Sequence, residues 1–121
     1  MENLKFRAWD KEDKRMKEVF NLDFHRYTAI VGFRLSEPKS FLGNDPLIIM
    51  QSTGLKDVHD NEFFDKDIAR DIDSEELGLV EYFNGAFVMK FASGDGADLY
   101  DVKDNFEIIG NQYQRPHLLK E

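Results

Sequence analysis

Nine carboxylates fall between Asp57 and Glu76, against only Lys66 and Arg70. Acids at that density could hold a cation, run general acid–base chemistry, or do no more than solvate a surface, and spacing decides among these. A calcium loop of the EF-hand kind needs oxygen ligands at positions 1, 3 and 5, glycine at 6 and glutamate at 12. Counted from Asp71, the chain supplies Asp73 and Glu75, then Glu76 in place of the glycine and Tyr82 in place of the glutamate, so the pattern fails. Asp95 and Asp98 lie in "SGDGAD", where the glycines describe a turn rather than a ligand set.

Other chemistries fare no better. His25, His59 and His117 are far apart and form no i, i+4 pair, and the chain has no cysteine, so neither a transition-metal site nor a disulfide is expected. Ser52 and Thr53 precede His59 by a few residues, but a nucleophile needs an oriented base and no G-x-S-x-G elbow is present. Carboxylate pairs for glycoside hydrolysis can be drawn at will from the sixteen acids after residue 50, which singles out none. Phosphate-binding and dinucleotide fingerprints are absent. The expectation is therefore no catalytic residue, no metal and no cofactor.

Charge narrows the partners. Residues 1–50 carry 9 Lys/Arg against 8 Asp/Glu, and residues 51–121 carry 7 against 16. Such a second half repels a phosphate backbone, which disfavours direct nucleic-acid binding and leaves Trp9, Tyr27 and Tyr82 as packing rather than base-stacking residues. The four cations of "KEDKRMK" alternate with acids and read as a solvated turn. The 57–76 acids read first as a solubilising surface. Alternatively Asp65, Asp67, Asp71, Asp73, Glu75 and Glu76 form a partner-binding face for a basic protein, mimicking nucleic acid. The start "MENLKFRAWDKEDK" lacks the charge-then-apolar pattern of a signal peptide, and no window approaches eighteen apolar residues, so a cytoplasmic protein without membrane contact is expected.

The elements that would position these residues are strands. At 121 residues the chain suits one domain, in which roughly 65% of the unfolded surface is buried on folding, and 11 phenylalanines supply large apolar rings. "LKFRAWD" and "MKEVF" alternate with period two around the polar turn Lys11–Met16, which predicts a hairpin. Phe24–Phe33, aromatic and β-branched, predicts a third strand. Leu35–Pro46 reads as a loop, Leu47–Gln51 as a buried strand and Phe106–Asn111 as the last strand. Asn84-Gly85 can both take positive φ, so Leu77–Phe91 predicts a type I′ hairpin with Phe83 facing Ala86. The tail Gln112–Glu121 could make one helical turn anchored by Leu118 and Leu119. Asn61–Leu77 stays open: Phe64, Ile68 and Ile72 recur every fourth residue, as in a helix, while a turn at Asp65-Lys66 before a strand near Ile68 fits equally.

Three segments carry a resemblance: "KFRAWDKEDKRM" (Lys5–Met16), "IMQSTGLKDVHDNEFFDKDIARD" (Ile49–Asp71) and "IIGNQYQRPHLL" (Ile108–Leu119). In order and spacing they resemble the YopX family of phage and prophage proteins, which typically shows K-F-R-A-W-D, then Q-[YF]-T-G-L-K-D with an acidic G-D-[IV], and closes with I-G-N-x-[YH]-[ED]-N-P-E-L-L. Ser52 departs from the family's aromatic, Lys66 stands where the family has glycine, and Gln114, Arg115 and His117 replace the usual residues around Pro116. The resemblance implies a mostly-β fold: N-terminal strands and linker over residues 1–45, and a small SH3-like β-barrel over 46–121, or one integrated domain. It favours the turn-and-strand reading of 61–77. It implies that Thr53, Gly54 and Asp57 form a structural junction, Gly54 giving backbone freedom and Asp57 capping backbone N–H groups, with Asn84 and Gly85 as a second reversal. It supplies no catalytic residue. The expectation is a non-enzymatic phage- or prophage-encoded protein acting through a protein partner or self-association. The alternatives are the acidic mimic and a small-molecule or nucleotide enzyme, the last requiring a cleft with at least two convergent titratable groups.

Overall fold

The computed structural model describes residues 5–115. Two units divide the chain, Met1–Gln51 and Ser52–Glu121. Among the described residues both are built from antiparallel strands, with one short helix.

In the first unit β1 (Phe6–Asp10) and β2 (Arg15–Asp23) form the N-terminal hairpin, with Asp10 opposite Arg15. Strand β3 (Thr28–Val31) returns along β2, the two-residue β4 (Lys39–Ser40) lies beyond it, and β5 (Leu47–Lys56) flanks β1 on the other side. The third strand is shorter than its composition suggests. The Asp23 carboxylate accepts hydrogen bonds from the backbone N–H of His25 (2.9 Å) and Arg26 (3.0 Å), and Tyr27 takes φ +56. Residues 24–27 are therefore a turn, because an Asx-type side-chain bond outcompetes the strand ladder for those donors. Ala8, Ala29, Val31 and Leu47 make the core, with Val19, Leu22, Phe41 and Ile49 packed on it.

The second unit holds the open segment. Strand β6 (Glu62–Phe64) pairs with the last part of β5, and β7 (Asp67–Asp71) follows after two residues. No helix forms over 61–77. The repeat of four does not mark one face of one element: Phe64 ends β6, Ile68 lies buried in β7, and Ile72 falls just past β7 and is exposed. The turn itself favours the strands: Lys66 adopts φ +75, and the buried Asp67 carboxylate accepts the Phe64 N–H at 2.7 Å. Strands β8 (Leu77–Phe83) and β9 (Ala86–Phe91) form the Asn-Gly hairpin, with Phe83 opposite Ala86 and φ +50 and +85 at its tip. A short β10 (Gly96–Asp98) leads into α1 (Leu99–Val102), whose first turn is capped by Asp98 accepting from the Tyr100 N–H. Strand β11 (Phe106–Asn111) completes the order β10-β9-β8-β7-β11.

Phe63, Ala69, Val80, Met89, Leu99 and Phe106 fill this unit's core, and Phe91 stacks on Phe106 at 5.9 Å. Each fully buried large side chain contributes about 1.5–3 kcal/mol of transfer free energy. Gly78 is required for space: a Cβ there would sit 2.5 Å from Met89 Sδ.

Both sheets are open. No ladder joins β10 to β11 among the described residues, so the SH3-like barrel expected of the second part is not confirmed. The outer edge of β11 is nonetheless occupied: Phe106 O accepts the Val58 N–H at 3.0 Å, and the Ile108 N–H donates to the Asp57 carboxylate at 2.8 Å. The expected C-terminal helical turn, with Leu118 and Leu119, falls outside the described residues from position 116 on.

Candidate functional site

The junction residues are engaged in the fold's own hydrogen bonds. Asp57 is buried, and its carboxylate accepts from the N–H groups of His59 (2.9 Å), Asn61 (2.8 Å) and Ile108 (2.8 Å). Thr53 Oγ1 donates to Phe63 O at 3.0 Å, and Gly54 takes φ +77. The Ser52 hydroxyl donates to the Glu62 carboxylate. The two hydroxyls that precede His59 in the sequence are thus committed to neighbours other than that histidine.

The six acids proposed as a partner-binding face differ in exposure. Asp67 is buried, Asp65 and Asp71 are half-buried, and Asp73, Glu75 and Glu76 are exposed. Asp71 Oδ1 accepts the N–H groups of Asp73 and Ser74 and the Asn105 amide (2.9 Å); the two backbone bonds, against a smaller effect of burial, hold its carboxyl below the ordinary range. Asp67 and Asp71 therefore serve the turns on either side of β7.

One ionic site has no counterpart among the sequence motifs. The Asp10 side chain is 0% exposed and accepts from Lys39 Nζ (2.8 Å), Lys17 Nζ (3.0 Å) and the N–H groups of Glu12 and Asp13. Burial pushes its carboxyl up, but the bonds from Lys39, Lys17 and the backbone together outweigh this and bring it down to about 2. Lys39 is held above its ordinary range, by Asp10 first and Glu12 second. A signal for the site does exist: alternation places Asp10 on the same face as the buried Ala8, and an acid on a core face requires a counter-charge. Internally compensated in this way, the cluster fastens β4 to the β1–β2 turn and offers little to a ligand.

A shallow cleft of about 380 Å³ in the second unit gathers His59, Arg70, Asp71, Glu75 and Glu107 between Val58 and Ile72. Glu107 bridges the row: Oε2 accepts from Arg70 Nε (2.9 Å) and Nη2 (2.7 Å), and Oε1 lies 3.1 Å from His59 Nε2. The Arg70 bonds, then the His59 contact, keep the Glu107 carboxyl below its usual range against burial. The row can orient an imidazole. The lining contains no hydroxyl or thiol nucleophile. Among the described residues no group of three or more His, Cys, Asp and Glu could hold a metal ion.

The most unusual surface lies in the first unit. Phe24, 63% exposed, and Tyr27, 46% exposed, each meet Phe41 edge-on at 5.9 Å, and Leu42 beside them is 62% exposed. His25 and Arg26, both exposed, complete this β2–β3 tip. Phe41 packs on the core on one side and carries the exposed Phe24 and Tyr27 rings on the other, a patch of the kind that monomers normally cover. In the second unit a groove of about 390 Å³ lies on the outer face of β8, β9 and β10, with Phe83 and Val88 as its floor and Glu81, Asp95 and Asp98 on its rim. None of these surface features follows from the motifs; only the aromatic content of 24–33 points to the tip.

Comparison with known proteins places the whole chain. The family model described as YopX protein matches residues 5–120. The crystal structure of protein EF1440 from Enterococcus faecalis is similar at 26% identity and a TM-score of 0.71, covering 98% of this chain and 99% of that one. The crystal structure of YopX from Bacillus subtilis, at 20% identity and a TM-score of 0.67, covers 98% of each and shares the fold. No curated protein matches the chain.

Proposed function

The chain belongs to the YopX family over residues 5–120, and from that premise we propose that it is a non-enzymatic, phage- or prophage-encoded cytoplasmic protein that acts through protein contacts. One observation carries the reading: Phe24, Tyr27 and Leu42 stay 46–63% exposed around Phe41, apolar area gathered beside the β2–β3 tip and outside the buried core. Aromatic residues that remain exposed supply contact area at low entropic cost when a partner covers them. In this reading residues 46–121 are the SH3-like body, which carries the second and third family motifs. No helix among the described residues is long and apolar enough to cross a membrane.

The test is affinity capture from an Enterococcus or Bacillus lysate with the wild-type chain and with a Phe24→Ser/Tyr27→Ser variant of unchanged circular dichroism. A partner held by the wild type and released by the variant supports the reading. A wild-type chain that retrieves nothing and does not self-associate overturns it.

A second reading, a small-molecule or nucleotide enzyme, draws on the convergent His59, Glu107 and Arg70 in the cleft. Thermal-shift screening of nucleotides and metabolites separates the two. A ligand whose stabilising shift is lost in Arg70→Ala favours the enzyme.

A further inference from the structure

We infer that the β2–β3 tip of one copy docks into the β8–β9–β10 groove of a second copy, a head-to-tail contact that rests on the protein-contact reading above. The groove belongs to the solvent face of its sheet. Glu81 faces Val88 across β8–β9 and Val88 faces Asp98 across β9–β10, so these side chains emerge on one side, while Gly96 opposite Lys90 leaves a trough. Its volume of about 390 Å³ lies at the small end of the ~300–1,000 Å³ that accommodates a compact ligand group. A ring and a guanidinium fit there; a folded element does not.

Charge selects the occupant. Glu81 is already met by Lys66 Nζ at 3.7 Å and Lys90 Nζ at 3.9 Å, while among the described residues no ion pair engages Asp95 or Asp98 on the rim, Asp98 giving one oxygen to the α1 cap. The chain's own tip offers the complement. Phe24 and Tyr27 are exposed rings, His25 and Arg26 stand between them in the chain and are exposed, and the Asp23 carboxylate is spent on the turn's backbone N–H groups. The wider charge distribution favours the same pairing. Residues 1–50 carry a net charge of +1 and residues 51–121 a net −9, so two second units repel one another while a first unit attracts a second. An isologous contact through the groove is thereby disfavoured, and a heterologous one follows, which closes into a ring or extends as a filament.

Light scattering on size-exclusion fractions of the full chain tests this, using wild type, Arg26→Asp, Asp95→Lys and the double variant, all with matching circular dichroism. The wild type is expected to exceed the 14.2 kDa of one chain at high concentration and low salt, and each single variant to assemble about tenfold more weakly. The charge-swapped double variant is expected to recover assembly. An equimolar mixture of the single variants can set opposite charges against each other at every contact, so it should assemble where each component alone does not. A wild type that stays monomeric up to ~1 mM, single variants that assemble like wild type, or a mixture no larger than its components overturns the inference. A monomeric wild type that still captures a lysate protein through Phe24 and Tyr27 sinks this contact alone and leaves the protein-contact reading standing.

Discussion

Replacing Asp10 with asparagine removes one charge from the most enclosed ionic cluster among the described residues. The structure gives the size of the effect. The carboxyl falls from an ordinary 3.8 to about 2 in the folded chain. At about 1.4 kcal/mol per unit, that depression corresponds to about 2 kcal/mol of stability. Little of it is lost to screening on the acid's side, because the Asp10 side chain is 0% exposed, while Lys17 and Lys39 are 19% and 28% exposed. The sign follows from the direction of the shift. A carboxyl depressed on folding stabilises fully above its unfolded value and loses that contribution as pH falls through the folded value. About half remains at pH 3 and little at pH 2. The substituted amide keeps an oxygen for the Glu12 and Asp13 N–H groups but offers no charge to the ammoniums. Urea unfolding followed by the single tryptophan, Trp9, reports this locally from β1. Asp10→Asn is expected to lose about 2 kcal/mol at pH 7 relative to wild type, and the gap should narrow to near zero by pH 2. Equal midpoints at pH 7, or a gap that does not change with pH, would show that burial and not the lysines dominates at Asp10.

Three further outcomes follow from single sites. Asp57→Ala strands the N–H groups of His59, Asn61 and Ile108; denaturant unfolding should show a loss of about 3 kcal/mol, with faster amide exchange at Ile108 and a smaller loss in Asp57→Asn. Lys66 holds φ +75, so Lys66→Gly should raise stability by up to about 1 kcal/mol in the same assay and Lys66→Val should lower it, since the 3.7 Å pair with Glu81 is partly exposed and weak. Glu107 titrates low because of Arg70 first and His59 second; carbon-13 NMR of its carboxyl should show the midpoint rising toward the ordinary range in Arg70→Ala, and by less in His59→Ala.

The parts of the fold visible in the sequence were those set by short-range rules. Asn84-Gly85 dictated its turn whatever surrounded it, and with it the facing of Phe83 and Ala86. Composition and punctuation mark the Phe106–Asn111 strand but not its register with β7, which shifts between Ile108 and Gly110. Lys66 departed from the family glycine yet keeps the left-handed turn, because the Asp67 side chain closes it from within. What stayed hidden depended on distant partners. Asp10 reads in the sequence only as the end of a strand, and its role needs Lys39, 29 residues away. Strands β4, β6 and β10 are two or three residues long, too short for any period to show. The cleft at Glu107 needed a histidine 48 positions earlier. Pairings over such separations arise from topology, which a pattern of neighbours does not encode.

The turn at 57–61 lies against β11, with Val58 bonded to Phe106 and Asp57 to Ile108. That flank of the sheet is consequently closed to recruitment, and a fibril could not be seeded there without first melting the turn. Any lengthening of the sheet by an incoming chain is confined to the far side, where β10 presents only three residues, a template too brief to sustain cross-β growth.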